Sequence, residues 1–567
     1  MNRFQLALPI RLTRTHVYPA LTAASLLIFL IYLIRHENAY ALMPIETLAN
    51  TSVIAATIML ISRRVQFSIL LALALTAVIV VVSRKMFEYL AAPLHAYDIW
   101  FYLGSRDTIR FLISGYTYYA FLIALGFTLA TVVGVYGWRR DRVKIGFRHA
   151  ALCLICAVVA AWLTSGGPYQ RIYSAMERFP LTVFFHTIDD AVAIVERGPL
   201  LDASQPKKPL RNPFHLGGPC VVARNAPHVI LIHQESGFPP SLFPSITYDR
   251  ALDPYFVSFD GKLHKLGVET YGGGSWLTEF SLLSGISTYS FGRAGRFAQA
   301  LMRGRIKESV PQSFARCGYQ TATFYTMRSN FVVSGPFYKS IGFKDFFDAD
   351  AQGAKSYFER DSFYYGNVIK YLATTFKTSP AQRVMVYVLT NATHHPYDYK
   401  MSPEIDVPQP ANKNSADMNE YLRRMMIAKW DYDAFKSELA KRFPREKFVI
   451  IRYGDHQPLI TREVPESEKL LPPSASARGS RPAKLVTYYV VDAIGYTPLE
   501  LPDHDILDVP YLSSIIARSA RLPLTDSHLA RLNLMKLCQG HYFFCKRRAA
   551  VLDFHRRLLD AKLIDVN

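Results

Sequence analysis

Three apolar runs of this 567-residue chain each stop on side chains able to hold a metal ion or a phosphate. His228-Val-Ile-Leu-Ile-His233 leads into Gln234-Glu235-Ser236, Val384-Met-Val-Tyr-Val-Leu389 into Asn391-Ala-Thr-His394-His395-Pro396, and Phe448-Val-Ile-Ile-Arg452 into Tyr453-Gly454-Asp455-His456. An adjacent Asp455 and His456 after a glycine can turn one oxygen and one imidazole toward a single cation. Glu235 and a hydroxyl oxygen would complete a four-coordinate site. Between the first two runs, Tyr271-Gly-Gly-Gly-Ser275-Trp-Leu-Thr278-Glu279 presents two hydroxyls where a helix should begin. Backbone amides and the helix dipole favour anions there, and a bound cation would ease ionisation of a serine or threonine nucleophile. Ser275 and Thr278 are both candidates on this ground. His394 has the chemistry to hydrogen-bond a phosphoryl oxygen or protonate a leaving alkoxide. Taken singly, each residue has a plainer reading: Glu235 as a helix cap, Ser275 as an N-cap, Gly-Asp-His as a solvated turn, the histidine pair as surface. Together they point to metal-assisted cleavage of a phosphate or sulfate ester.

Positioning such residues is the task of a sheet. From about residue 227 onward, short β-rich runs alternate with helical patterns, as in a mostly parallel sheet covered by helices. In such open α/β sheets ligands sit beyond the carboxyl ends of the strands, where all three runs end.

The chain is too long for one ordinary core. Its first 165 residues hold nearly all the long uncharged runs, with spans expected at about 17–34, 48–62, 67–83, 118–138 and 150–165. The first is not a cleaved signal peptide, because more spans follow it. Arg3, Arg11, Arg14, Arg63, Arg64, Arg139, Arg140, Arg142, Lys144 and Arg148 fall on one side, against Arg35, Arg84, Lys85, Arg106 and Arg110 on the other. That asymmetry places the N-terminus in the cytoplasm and everything after residue 165 outside. The outer loop 84–117 is rich in aromatics suited to the bilayer interface. The expected organisation is a transmembrane domain over 1–165, a linker over 166–226 with a helix near Ile172–Val195, a catalytic domain over 227–545, and a basic tail over 546–567. Net charge is +20. Positive-inside loops and a surface facing anionic lipid account for it, and no basic-aromatic nucleic-acid module is present.

The six cysteines suggest neither a disulfide framework nor a zinc pattern. Cys153 and Cys156 fall inside a span. Cys538 and Cys545 are placed for a local bridge if their region is extracytoplasmic.

These motifs resemble the alkaline phosphatase and sulfatase superfamily, in particular its membrane-bound lipoteichoic acid synthases and phosphoethanolamine transferases. The resemblance covers nearly the whole chain and implies five spans, a linker and an extracytoplasmic sulfatase-like domain on a bacterial cytoplasmic membrane. It implies one divalent metal, Mn²⁺ or Zn²⁺, on Glu235, Ser275, Asp455 and His456, with His394 handling phosphate and His395 beside it at the substrate. Ser275 stands ten residues before Gly285 of Leu282-Leu-Ser-Gly285, and Glu279-Phe280 follows four residues after it; both registers select Ser275 over Thr278 as the family nucleophile. Tyr338-Lys-Ser-Ile-Gly-Phe-Lys-Asp-Phe-Phe347 resembles the synthases, whereas their upstream Trp-Asn-Arg is replaced by Val332-Val333-Ser334, leaving Arg328 as a substitute charge. Ser275-Trp-Leu-Thr-Glu279 lacks the Pro and Arg that formylglycine formation resembles requiring, which turns the reading from sulfatase toward phosphoryl transfer. The donor would be a membrane phospholipid carrying phosphoglycerol or phosphoethanolamine, and the acceptor an envelope glycan or lipid. A hydrolase with the same site, or an inactive envelope scaffold, are the competing expectations.

Overall fold

The computed structural model describes residues 17–90, 92–115, 117–165, 179–197, 201–203, 214–215, 217–218, 220–223, 225–408, 414–471 and 480–566. The chain forms two compact units, Met1–Gly104 with Ile109–Val192, and Ser105–Thr108 with Ala193–Asn567.

The first unit is helical. Among the described residues, four helices are long and apolar enough to cross a membrane: Tyr18–His36, Met43–Ser62, Val65–Glu88 and Phe147–Thr164. The remaining expected span falls within a 24-residue helix, Thr117–Arg140. Between them the aromatic outer loop folds into two short helices, Ala96–Leu103 and Arg106–Gly115, the first exposing Trp100. The helix expected near Ile172–Val195 is observed as Pro180–Arg197, with proline at its first position, where its missing N–H costs nothing. Residues 166–178 of that expectation lie outside the described residues. Buried Glu37 accepts from Leu181 N at 2.9 Å, Thr182 N at 3.2 Å and Thr182 Oγ1 at 2.7 Å. It thereby satisfies amides that the first turn of Pro180–Arg197 leaves open.

The second unit is built on an eight-stranded sheet. Its strands are β1 (His228–Gln234), β2 (His264–Gly267), β3 (Gln320–Phe324), β4 (Asp345–Phe347), β5 (Val384–Thr390), β6 (Phe448–Gly454), β9 (Val486–Ile494) and β10 (Leu507–Asp508), while β7 (Leu470–Leu471) and β8 (Arg481–Pro482) pair separately. The spatial order is β10-β2-β9-β6-β1-β5-β3-β4. β6, β1, β5, β3 and β4 run parallel, and β9 is antiparallel to both its neighbours. The three apolar runs are therefore the adjacent central strands, buried at every residue. Such continuous burial is why they read as uninterrupted apolar runs rather than alternating ones. In register, Gln234 pairs with both Thr390 and Gly454. Residues 235, 391 and 455 thus leave the sheet at one level, side by side.

On one face, Ile230, Ile232, Val386, Val388, Phe448 and Ile450 pack against helices Asp361–Thr378 and Ala416–Arg442. The last described helix, Arg548–Asp560, buries Val551, Phe554, His555 and Leu558, so most of the expected tail is packed structure.

The cysteines correct one expectation. Two bridges form, Cys538–Cys545 and Cys220–Cys317. The second joins residues 97 apart in sequence, a pairing that spacing alone does not announce.

Candidate active site

Strand geometry brings the first group together. His233 lies in β1 and Glu235 is the first residue past its end, two positions on and beside it over the same centre, where His233 Nε2 is 3.9 Å from Glu235 Oε2. Tyr453 of β6 pairs directly with His233. Asp455 follows β6 and is aimed by two backbone amides: its Oδ1 accepts from Ser236 N and His456 N, both at 2.8 Å. Its Oδ2 lies 3.2 Å from His456 Nε2 and 3.2 Å from His233 Nε2.

The glycine turn supplies the nucleophile candidate. Gly274 sits at φ 78°, ψ 36°, a left-handed conformation in which a side chain is strained, and starts the helix Ser275–Ser284. Ser275 Oγ donates to Glu235 Oε2 at 3.0 Å and lies 3.4 Å from His456 Nε2. His456 Nε2 is 3.3 Å from Glu235 Oε1. Thr278, one turn further along, is fully buried and donates to the Asp455 carbonyl at 2.8 Å. Ser275 therefore meets the carboxylate and imidazole, and Thr278 braces the loop that carries them.

These distances fit a metal ion. Four ligands around zinc at about 2.0–2.1 Å stand roughly 3.3 Å from one another in a tetrahedron. Four of the separations fall near that spacing: Ser275 Oγ to Glu235 Oε2 at 3.0 Å and to His456 Nε2 at 3.4 Å, and His456 Nε2 to Glu235 Oε1 at 3.3 Å and to Asp455 Oδ2 at 3.2 Å. His456 Nδ1 lies 3.0 Å from the Gln457 carbonyl, the outer contact that fixes a ligating histidine with its Nε2 lone pair free. Asp455 Oδ2 is buried without a proper hydrogen bond. His233, Glu235 and Asp455 also offer ligand atoms within 4.8 Å of one another.

Without a cation, protons hold these charges together. Burial pulls the His456 imidazole down, but Asp455 and Glu235 outweigh it and lift it to about 9. At His233 burial is likewise outweighed, by Asp455 together with Glu235 and Glu279, and the group rises to about 10. Burial opposes ionisation of Glu235, yet His456 and His233 hold it well below the usual carboxylate range.

The His394 loop adjoins this centre through Thr393, whose hydroxyl bonds the Glu235 carbonyl. Asp361 accepts from the amides of Asn391 at 3.2 Å and Ala392 at 3.0 Å. Fully buried Arg424 donates to the His394 carbonyl and the Tyr399 carbonyl, both at 2.9 Å, and to Glu420 at 2.8 Å. His394 itself stacks on His395, lies 3.4 Å from the Tyr357 hydroxyl, and packs near Phe358. Burial, then the neighbouring His394, pushes the His395 imidazole down to about 3. The His395 ring is therefore neutral near pH 7. Arg328 forms a two-point pair with Asp350. Ser334, where the synthases' Trp-Asn-Arg departs, is buried and accepts from Gln299 at 3.0 Å and Tyr325 at 2.9 Å.

Sequence reasoning assigned no role to His233, Glu279, Tyr338 or Arg424. A lone histidine inside an apolar strand, two residues before a carboxylate, was the available signal for the first. Tyr338 donates to buried Glu279, four residues beyond Ser275 on the same helix. Burial pushes Glu279 up to about 7.

Residues 268–479 match the family model described as Sulfatase. An uncharacterized protein of Haemophilus influenzae is 22% identical over 325 residues, 55% of each chain, so the chain spans about half the length of the curated relative it matches. Among solved structures, the lipooligosaccharide phosphoethanolamine transferase A (EptA) of Neisseria meningitidis is 11% identical with a TM-score of 0.47, covering 89% of both chains. The phosphoglycerol transferase GacH of Streptococcus pyogenes is 15% identical with a TM-score of 0.46, covering 60% of this chain and 86% of its own. The lipoteichoic acid synthase LtaP of Listeria monocytogenes is 18% identical with a TM-score of 0.39, covering 52% and 72%.

Proposed function

We propose that this chain, whose residues 268–479 match the Sulfatase family model and whose described residues include four helices long and apolar enough to cross a membrane, is a metal-dependent phosphotransferase that moves a phospholipid headgroup, phosphoglycerol or phosphoethanolamine, to an envelope glycan or lipid. The observation that carries this reading is Ser275 Oγ, held at a helix N-terminus within 3.0 Å of Glu235 and 3.4 Å of His456. Glu235, Ser275, Asp455 and His456 would hold one Mn²⁺ or Zn²⁺, which would lower the hydroxyl pKa and polarise the phosphoryl group.

The chain's own residues perform the remaining steps. Ser275 gives up its proton, in the direction of Glu235 to which it already donates, and its oxygen attacks phosphorus. The P–O bond to diacylglycerol breaks, and His394 supplies a proton to the leaving oxygen. A phosphodiester on Ser275 results. An acceptor hydroxyl then attacks that phosphorus and passes its proton to His394, while the proton left at Glu235 returns to the Ser275 oxygen as the P–O bond to Ser275 breaks. The amides opening Ser275–Ser284 face the developing negative charge. The neutral ring of His395 keeps the pocket beside His394 free of a competing cation.

The compartment belongs to the same reading. The arginine asymmetry of the loops supports a cytoplasmic N-terminus, and the Cys220–Cys317 and Cys538–Cys545 bridges favour an oxidising surrounding such as the periplasm. The test is to supply the detergent-solubilised chain with labelled phosphatidylglycerol or phosphatidylethanolamine, with and without envelope glycan. Label should reach the glycan with release of diacylglycerol. Release of free headgroup phosphate at the same rate whether or not glycan is present would make the protein a hydrolase instead.

A further inference from the structure

His233 is the buried group that the catalytic scheme leaves unused. Its ring is 1% exposed and stands between the metal-binding carboxylates and a second polar layer below them. On the upper side, Nε2 is 3.2 Å from Asp455 Oδ2, and neither atom completes a hydrogen bond in this structure. On the lower side, Nδ1 is 3.0 Å from Tyr453 OH and 3.2 Å from Tyr387 OH, and these two hydroxyls are 2.8 Å apart. Glu279 Oε1 lies 3.7 Å from the same Nδ1 and is itself held by Tyr338.

Resting on the metal-site reading above, we propose that His233 is a positioning residue: with the cation bound, it turns Nε2–H onto Asp455 Oδ2 from behind and holds that oxygen on the ion, with Tyr453, Tyr387 and Glu279 fixing the ring.

The proton count supports this direction. With the cation in place, the two tyrosine hydroxyls in mutual contact can share one O–H between them and turn the second to Nδ1. An imidazole accepting at Nδ1 carries its hydrogen on Nε2. Asp455 Oδ1 is already filled by two amides, so orientation of the carboxylate leaves Oδ2 for two partners. One lone pair serves the cation beside His456, and the other accepts from His233. The ring's separation from Glu235 Oε2, 3.9 Å, is too long for a hydrogen bond, so its contribution is to Asp455. Ser275, Glu235, Asp455 and His456 would supply four ligands on their own, and the variants below separate a supporting His233 from a ligating one. Groups of this outer kind set ligand orientation, and losing one lowers metal affinity by roughly 10–100-fold.

The arrangement also links the two elements that must stay in register. Glu279 lies on the helix that Ser275 opens, and Asp455 lies beyond β6. His233 joins them through a distance set by strand β1. A shift of the helix would be felt at Asp455 through this ring.

The experiment uses the full-length solubilised chain and Mn²⁺ alone, with affinity by equilibrium dialysis, the Mn²⁺ paramagnetic resonance spectrum, and the metal-free melting temperature. His233→Ala should weaken Mn²⁺ binding about 10–100-fold and alter the spectrum. His233→Gln, whose amide N–H reaches a similar depth, should restore most of the affinity. Should the alanine variant fail to fold, Tyr453→Phe removes only the hydroxyl behind Nδ1 and should lower affinity in the same direction. Wild-type affinity and spectrum in folded His233→Ala or Tyr453→Phe overturn the role. Equal loss in the glutamine and alanine variants also overturns it, marking His233 as a direct ligand. A wild-type protein that binds neither Mn²⁺ nor Zn²⁺ overturns the metal site itself, and is seen before any variant is compared.

Discussion

Ser275 Oγ donates to Glu235 Oε2 at 3.0 Å across forty residues of sequence. This contact exists because β1 ends at the level where the glycine turn delivers the first residue of a helix. Ser275→Ala should therefore lower transfer by about a thousandfold or more, as loss of a covalent nucleophile does. Thr278→Val should retain the phospho-adduct while lowering the melting temperature, because its hydroxyl is spent on the Asp455 carbonyl. Transfer assays beside thermal melts check both.

Metal removal should abolish activity, and Mn²⁺ or Zn²⁺ should restore it. The pH dependence has a definite sign. His456, lifted to about 9 by Asp455 and Glu235 against burial, must lose its proton to bind. Apparent affinity should fall by roughly tenfold for each pH unit below about 9 for every proton that binding releases, that of His456 and any lost from His233. Calorimetry in buffers of different ionisation enthalpy counts those protons.

Arg424 pins the His394 loop by donating to two of its carbonyls and to Glu420. Arg424→Met leaves Glu420 without this partner and should cost about 3–5 kcal/mol of stability, the range for breaking a buried pair. Arg424→Lys keeps the charge but loses the fork. It should lower kcat for transfer while leaving Mn²⁺ affinity at the wild-type value.

His555 contributes to the acid stability of the second unit. Its Nε2 is 2.8 Å from Tyr542 OH and its Nδ1 contacts the Asp202 carbonyl, an arrangement that holds the neutral ring. Burial, with Arg548 and Arg531 nearby, pushes it down to about 4. Because the unfolded ring binds its proton near 6.5, this stabilisation is complete above that pH and is lost as pH falls toward 4. The loss should be on the order of 3 kcal/mol. The difference between wild type and His555→Gln, followed by denaturation from pH 7 to pH 4, isolates this contribution.

The strands and the turn were legible because burial and chirality write them locally. Val384–Leu389 is apolar at every position since both faces of β5 are covered, and Gly274 is required by a positive φ. Glu235, Ser275, Asp455 and His456 were legible for a related reason: each lies at an element end, Glu235 and Asp455 just past a strand, His456 next to Asp455, and Ser275 opening a helix. His233 and Glu279 were not, because their meaning comes from pairing β1 with β6 and from packing a helix over the strand ends. Neither leaves a periodic trace. Cys220–Cys317 was invisible for the same reason, joining chain segments 97 residues apart. Tyr338 lay inside a recognised segment, yet its bond to Glu279 is a tertiary fact.

The central claim is a covalent phosphodiester on Ser275. Incubating the wild-type protein with phosphatidylglycerol and, separately, with phosphatidylethanolamine, quenching in acid, and weighing the Ser275 peptide by mass spectrometry tests it directly. The account predicts a phosphoglycerol or phosphoethanolamine adduct on Ser275 with one of the two lipids, discharged when acceptor is added. Diacylglycerol release with an unmodified Ser275 peptide, undiminished in Ser275→Ala, would contradict it.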